Sequence, residues 1–287
     1  MRDDFAIFIL SHGRADVMKT VGMLGKSGYT GKYYIVCDNE DETLPEYQKK
    51  FGRDRVLVFD KLAMAERMDT GINGGDRKAV CFARNACFDL AEQLGLKYFL
   101  EFDDDYTGIE YRFIRPDTPK VLRTWVLKDF LDGICEAFIE FLEKTPTTTI
   151  AMAQTGDLLG GAKADFFYFG LARKAMNSFF CSVDRRFWFR GKSNEDVSTY
   201  VTLSSQGKLM FTYTKLAVKA GRTQSLKGGM TEFYESGGGY IKPFSSVIFA
   251  PNCIKIATMG PSHRRLHHRI DWNACAPKIL SEKWKKK

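Results

Sequence analysis

Three consecutive carboxylates, Asp103-Asp104-Asp105, follow the run Tyr98-Phe99-Leu100-Glu101-Phe102. Apolar and aromatic residues at 98, 99, 100 and 102 suit a strand buried on both faces. Asp is a poor strand former and adjacent like charges repel, so the chain must leave the sheet near Asp103. Hard oxygen donors of this kind suit Mg²⁺ or Mn²⁺, which bind substrate phosphates beside one or two carboxylates. A solvated acidic turn is the competing reading. A second acidic pair, Glu195-Asp196, follows Gly191-Lys192-Ser193-Asn194. Ser193 or Asn194 would cap a helix running to about Ser205, and acidic residues in a first turn favour the helix dipole in any case. A carboxylate there is also placed to meet a substrate hydroxyl. Arg84 and Asn85 interrupt an otherwise apolar helical pattern, and would either pair locally or reach a phosphate or the acidic triplet. His263, His267 and His268 lack a cysteine or carboxylate at zinc-site spacing.

The elements that must position these groups alternate in type. Phe5–Leu10 is a short apolar run broken by Ser11-His12-Gly13-Arg14, and residues 15–27 read as a helix. Tyr33–Cys37 is a second strand ending at Asp38, and Arg55–Phe59 a third ending at Asp60. A long glycine-bearing connection, 61–77, leads to a helix over 78–94. A polar, proline-bearing stretch to Pro119 precedes an amphipathic helix over 128–144. Further strands are expected at 149–153, 166–172, 208–213 and, across Pro251, 246–257, with a glycine-containing loop at 154–161. From Pro261 the chain is basic without an evident core pattern. Strands separated by helices predict an α/β fold, a Rossmann-type, mostly parallel sheet flanked by helices and built from right-handed crossovers. The polar strand ends then line one sheet edge, where ligands bind in such folds.

The composition fits a globular chain: 287 residues, 44% hydrophobic and 14% aromatic. No apolar run approaches the ~18 residues of a membrane span, and Met1-Arg2-Asp3-Asp4 leads straight into a strand, so neither a membrane partner nor a secretory leader is expected. The odd count of 7 cysteines, with no CxxC pair, predicts reduced thiols in a cytoplasm. The net charge of +8, much of it after His263, combined with an acidic metal-type site, points to polyanionic partners.

Together these features resemble a GT-A glycosyltransferase. The resemblance covers about residues 5–215, a nucleotide-sugar-binding and catalytic domain, and leaves 216–287 as an acceptor-side extension with a basic tail. It implies that Asp103 and Asp105, with Asp104 between them, hold Mn²⁺ or Mg²⁺ against a UDP-sugar diphosphate, with His263 completing the metal shell and His267 and His268 as rivals. It implies that Asp38 meets the nucleoside, that Ser11, His12 and Arg14 lie against base and ribose, and that Arg84 serves the donor side. Asp196, with Glu195 beside it, takes the position of the general base. More narrowly, the SHGR start, ARNACFDLAE before FDDDY, TQSLKGGM and Phe249-Ala250-Pro251 are similar to the phage TET-associated glycosyltransferases. That resemblance implies sugar transfer to 5-hydroxymethylcytosine or another 5-hydroxymethylpyrimidine in phage DNA, in the host bacterial cytoplasm. Phosphate contacts are then expected from Arg264, Arg265, Arg269 and the tail. A glycosyltransferase for a protein, lipid or small-sugar acceptor, a sugar nucleotidyltransferase, and a non-enzymatic DNA-binding protein are the alternatives.

Overall fold

A computed structural model describes residues 1–71, 77, 79–118, 122–154, 171–172, 174–221, 239–259 and 265–276. The strand β1 (Phe5–Leu10) is flanked on one side by β2 (Lys32–Asp38) and then the edge strand β3 (Val56–Phe59), and on the other by β4 (Tyr98–Asp103), all parallel. Leu10 pairs with both Val36 and Asp103, so the chain leaves these strands at Ser11, Asp38 and Asp104 along one edge. Beyond β4 the sheet continues through β9 (Ser178–Ser182), β7 (Thr147–Gln154), β10 (Leu209–Lys219), β5 (Gly108–Ile114) and β6 (Leu122–Val126), with β8 (Leu171–Ala172) paired to β10. Strands β5, β8 and β9 run against the others, so the expected mostly parallel α/β class is observed as a mixed sheet.

Alternation along β1 explains the two layers. Phe5, Ile7 and Ile9 pack with α1 (Thr20–Lys26) and α5 (Leu131–Lys144). Ala6, Phe8 and Leu10 pack with α4 (Val80–Gln93). The same period of two in β4 turns Leu100 and Phe102 to the α5 face and Phe99 to the α4 face, which places Glu101 and Asp103 on the α4 side. Two short helices, α2 (Leu44–Phe51) and α3 (Lys61–Glu66), complete the crossovers around β3. Helix α6 (Glu195–Ser205) buries Val197, Tyr200 and Val201 in the α4-side core.

Several elements differ from the sequence expectation. The polar stretch after Asp105 is the hairpin β5–β6; Ile109 and Tyr111 find their partners, Val218 and Leu216, on β10, about a hundred residues away, while Phe113 pairs with Arg123 within the hairpin. Strand β9 lies between β4 and β7, an antiparallel pairing that a local apolar run does not reveal. Strand β10 continues to Lys219, through a register shift between Tyr213 and Ala217. The first and fourth helices start later than expected, at Thr20 and Val80, and α5 starts at Leu131. The apolar run at 246–257 is not a strand throughout: α7 (Gly239–Phe249) ends before Pro251, and β11 (Ile254–Met259) begins after it. Short apolar runs do not distinguish helix from strand by period. The basic end is not without a core: β12 (Arg265–Ile270) pairs with β11, Cys275 is buried, and Trp272 stacks on Tyr200 at 5.6 Å. All 7 cysteines are buried and free. No described helix is long and apolar enough to cross a membrane.

Asn85 fastens α4 to the strand-to-helix segment before α6. Its Oδ1 accepts from the Phe189 amide at 2.9 Å and its Nδ2 donates to the Phe189 carbonyl at 3.0 Å, both buried. Gly191 follows at φ +86, where a Cβ would lie 2.9 Å from the Phe249 ring, so this approach to α7 requires glycine. Replacing Asn85 with Leu leaves the Phe189 N–H and C=O buried without partners. We expect the variant to lose about 2–4 kcal/mol, read from the urea unfolding midpoint at unchanged m-value.

Candidate active site

Helical spacing puts Arg84 on the core-facing stripe of α4, with Cys81, Phe88 and Ala91 one turn or two away. Only 1% of its side chain is exposed, so its charge must be met inside the protein. Three carboxylates meet it: Nη1 donates to Glu101 Oε2 at 3.3 Å, Nη2 to Asp103 Oδ1 at 3.1 Å, and Nε to Glu195 Oε1 at 3.3 Å. The guanidinium also lies 5.0 Å from the centroid of the Phe179 ring, on the β9 residue paired with Glu101. One cation against three acids leaves an excess of negative charge. Burial, above all, pushes the Glu101 carboxyl up to about 8 and, with the charge of Asp196 added, that of Glu195 to about 7. Glu101 Oε1 has no hydrogen-bond partner among the described residues, so nothing at that oxygen offsets the cost of burying the charged form.

The acidic triplet is not uniform. Asp103 receives Arg84 on one oxygen, while its other oxygen lies 3.3 Å from the Tyr106 hydroxyl. Asp104 turns towards the loop after β1, accepting from Ser11 Oγ at 2.7 Å and Arg14 Nη1 at 3.2 Å. Behind it runs a relay: the Arg14 amide donates to Tyr47 Oη at 2.7 Å, and Tyr47 and Ser11 are joined at 2.7 Å. The Asp104 carbonyl accepts the Lys19 and Thr20 amides at the start of α1, which holds the turn itself. Asp105, half-buried, has no ion pair or side-chain hydrogen bond among the described residues. Burial first, and then the neighbouring Asp104, raise its carboxyl. Burial raises Asp103 and Asp104 as well. Arg14 and Lys19 act on Asp105 in the other direction without forming an ion pair, and a half-buried acid beside two others is suited to a divalent cation. Among the described residues no three His, Cys, Asp or Glu side chains converge on one point, so such a cation would draw its remaining ligands from substrate oxygens, water or elsewhere.

Along the same edge, His12 Nδ1 lies 2.8 Å from Asp38 Oδ2, which also meets Lys61 Nζ at 3.3 Å. Asp41 accepts the Gly13 amide at 2.8 Å. The hydrogen bond His12 makes to Asp38 raises the imidazole above its ordinary value. For Asp38 burial works the other way, but His12 and Lys61 together lower it. At the start of α6, Asp196 is buried, accepts among the described residues only the following Val197 amide at 2.8 Å, and sits at the positive end of the helix. Asn194 precedes it at φ 54, a left-handed conformation that Asn tolerates. Its side chain does not cap α6 but donates to the Lys242 carbonyl at 2.8 Å and lies 3.4 Å from His268 Nδ1.

The structure thus brings Asp103, Glu195 and Arg84 into one cluster with Asp196 adjacent, joins Ser11, Arg14 and Asp104 in another, and pairs His12 with Asp38. Arg84 is committed to carboxylates rather than open to a donor. His263, Arg264, the TQSLKGGM segment and the loop at 155–161 lie outside the described residues. Sequence reading missed Glu101, Tyr47 and Lys61; a glutamate within an apolar strand was the one local signal among them.

The α/β sheet gathers acidic residues at the carboxyl ends of its parallel strands, the edge where ligands bind in such folds. The family model of the TET-associated glycosyltransferases matches residues 5–229, and the chain belongs to that family. A sequence comparison with curated proteins finds no match. Among solved structures the chain is similar to glucosyl-3-phosphoglycerate synthase from Mycobacterium tuberculosis with Mn²⁺, UDP-glucose and phosphoglyceric acid (TM-score 0.47, 8% identity, covering 91% of this chain and 85% of that one). The same enzyme with Mg²⁺ and UDP gives a TM-score of 0.45 at 8% identity over 93% and 87% of the two chains. A candidate nucleotide-diphospho-sugar transferase from Desulfovibrio desulfuricans G20 gives 0.42 at 9% identity over 88% and 96%.

Two outcomes follow from this geometry. Arg84→Met strips the cluster of its only buried cation, and the protein should lose about 3–5 kcal/mol in chemical denaturation. Arg84→Lys should recover only part, since a point charge cannot serve three acids set around a planar fork. The His12 imidazole should titrate above 6.5 by NMR and fall towards that value in Asp38→Asn. Because the folded value of His12 is raised, its contribution to stability is complete below pH 6.5 and fades as pH rises through the folded value. The lowered Asp38 gives the opposite limb, a contribution present above 3.8 and lost as pH falls through its folded value.

Proposed function

We propose that this glycosyltransferase moves a sugar from a UDP-sugar to the hydroxyl of 5-hydroxymethylcytosine, or another 5-hydroxymethylpyrimidine, in DNA. The observation that carries the reading is the Arg84 bridge, which ties Asp103 at the end of β4 to Glu195 at the start of α6. A donor-side acid and an acceptor-side acid are thereby held within the span of one guanidinium. Glycosyl transfer needs both: negative charge develops on the departing diphosphate, and the attacking hydroxyl must give up its proton.

In this reading Asp103 and Asp105 hold Mn²⁺ or Mg²⁺, with His263 as a further ligand; when bound, the ion supplies Lewis-acid stabilisation of the diphosphate oxygens. Asp104 positions the β1 loop through Ser11 and Arg14, and Arg14 adds positive charge on the donor side. His12 and Asp38 form the nucleoside end of the pocket. Asp196 accepts the proton of the acceptor hydroxyl as the carbon–oxygen bond forms and the bond to the diphosphate breaks. Glu195, fixed on Arg84, orients the first turn of α6. The 5-hydroxymethyl group projects into the major groove, so a duplex offers it without breaking a base pair. The net charge of +8 suits a DNA acceptor, and the buried free thiols suit a reducing compartment such as a bacterial host's cytoplasm. Residues 1–215 would carry donor binding and catalysis, and the remainder the acceptor side.

The test is turnover of a panel of UDP-sugars with Mn²⁺ or Mg²⁺ and DNA containing cytosine or 5-hydroxymethylcytosine, following nucleotide release and DNA mass together. We expect UDP release with a hexose-sized mass gain only on hydroxymethylated DNA, abolished by EDTA. Asp105→Asn should remove the metal dependence together with the activity. Asp196→Asn should lower kcat by about 10²–10⁴-fold with donor affinity retained. Pyrophosphate release would make the protein a nucleotidyltransferase, and transfer to a small sugar or protein in place of DNA would overturn the acceptor.

A further inference from the structure

The hairpin β11–β12 is a two-stranded ribbon whose register fixes what each face presents. Ile254 pairs with Ile270, Ile256 with His268 and Thr258 with Leu266 on one face. Ile254 is buried there, with Ile270 packed against the same core. Lys255 pairs with Arg269, Ala257 with His267 and Met259 with Arg265 on the other. Lys255, Arg265 and Arg269 are all exposed and make no ion pair among the described residues.

A lysine directly opposite an arginine is an unfavourable cross-strand pair, since like charges repel. No acidic residue occupies any position of either strand to relieve it. Burial first, and then Arg265 and Lys242, lower the His267 imidazole on the same face as Lys255 and Arg269, while burial first, then His267, Lys242 and Lys174, lower that of His268 on the inner face. Exposed apolar side chains are absent from this face apart from the half-buried Ala257 and Met259, which argues against a membrane or a hydrophobic protein partner. Alternate residues on a strand stand about 7 Å apart, so Arg265, His267 and Arg269 form a row of donors along the ribbon. A two-stranded ribbon is also of a width that the ~12 Å major groove of B-DNA admits.

The ribbon is tied to the active site. His268, on its inner face, lies 3.4 Å from the Asn194 side chain, and Asn194 immediately precedes Glu195 and Asp196. Asn194 also binds the Lys242 carbonyl of α7, which packs between the ribbon and α6. An anion seated on the outer face is therefore held in fixed relation to the acid that would activate the acceptor.

We infer that the outer face of β11–β12 is the docking surface for the phosphate backbone of duplex DNA, with Lys255, Arg265 and Arg269 as its contacts. This inference rests on the DNA-acceptor reading given above and assigns that acceptor an element of the fold. Lys255 and Arg269 act on docking, not on the reacting atoms.

The test compares the full chain with the double variant Lys255→Gln/Arg269→Gln, using hydroxymethylated duplex DNA and free 5-hydroxymethyl-2′-deoxycytidine over a range of salt. For the variant, KM for duplex should rise roughly ten- to fifty-fold at moderate salt, and the slope of log affinity against log salt should become shallower by about 2. Its kcat at saturating duplex should be retained, and its activity on the free nucleoside unchanged. The thermal midpoint should hold or rise, because a like-charged pair has been removed. Wild-type transfer to duplex with the same KM and salt slope in the variant would overturn the docking assignment while leaving the acceptor intact. An equal loss on duplex and free nucleoside would overturn it too, by placing the effect at the active site. Failure of the wild type on every DNA would instead remove the acceptor reading, and this inference with it.

Discussion

The charge of Arg84 is the constraint on which the site depends. A guanidinium keeps its proton under all ordinary conditions, so its burial within the α4-side core obliges the fold to bring acids to it. Glu101 and Asp103 are available because they stand two residues apart on one strand, and Glu195 because α6 begins against the same core. Each pair alone would be a doubtful source of stability, since desolvation of two charges offsets much of their attraction. The cluster is better understood as a specification: the end of β4, the middle of α4 and the start of α6 are compatible with only one arrangement. A surplus of acid remains, and that surplus is what a cation or a substrate proton can use.

The same edge of the sheet shows two ways of handling clustered carboxylates. Asp104 and Asp38 are satisfied, the first by Ser11 and Arg14, the second by His12 and Lys61. Each ties a neighbouring loop to a strand end, so both loops after β1 and β2 are set by the acids they surround. Asp105 and Asp196 make no side-chain ion pair among the described residues, and both sit where backbone geometry has already fixed them. The contrast separates acids that are paired from acids that are not, a distinction that three adjacent identical letters conceal.

The C-terminal part changes the picture of the molecule more than any other element. It is joined to the catalytic core through Tyr200 and Trp272, through Phe249 against Gly191, and through Asn194 between Lys242 and His268. Far from a loose basic extension, residues 239–259 and 265–276 brace the first turn of α6. The segment that carries much of the positive charge is thus also the segment that steadies the acidic one.

The sequence by itself determined the α/β class, because continuous apolar runs ending in polar residues state where strands are buried and where they stop. It also determined the acidic triplet at the end of β4, the acidic start of α6, and that Arg84 interrupts an apolar face. Only the tertiary structure decided which of these meet. The partners of Arg84 lie 17, 19 and 111 residues away, and a pairing of that range leaves no periodic trace. The antiparallel β9, the β5–β6 hairpin and the helix ending before Pro251 escaped for the same reason. Their short runs fit more than one element, and the choice was made by distant neighbours supplying hydrogen bonds and apolar cover. Which face of β11–β12 is basic likewise followed from register, since a period of two assigns faces only once the opposite strand is known.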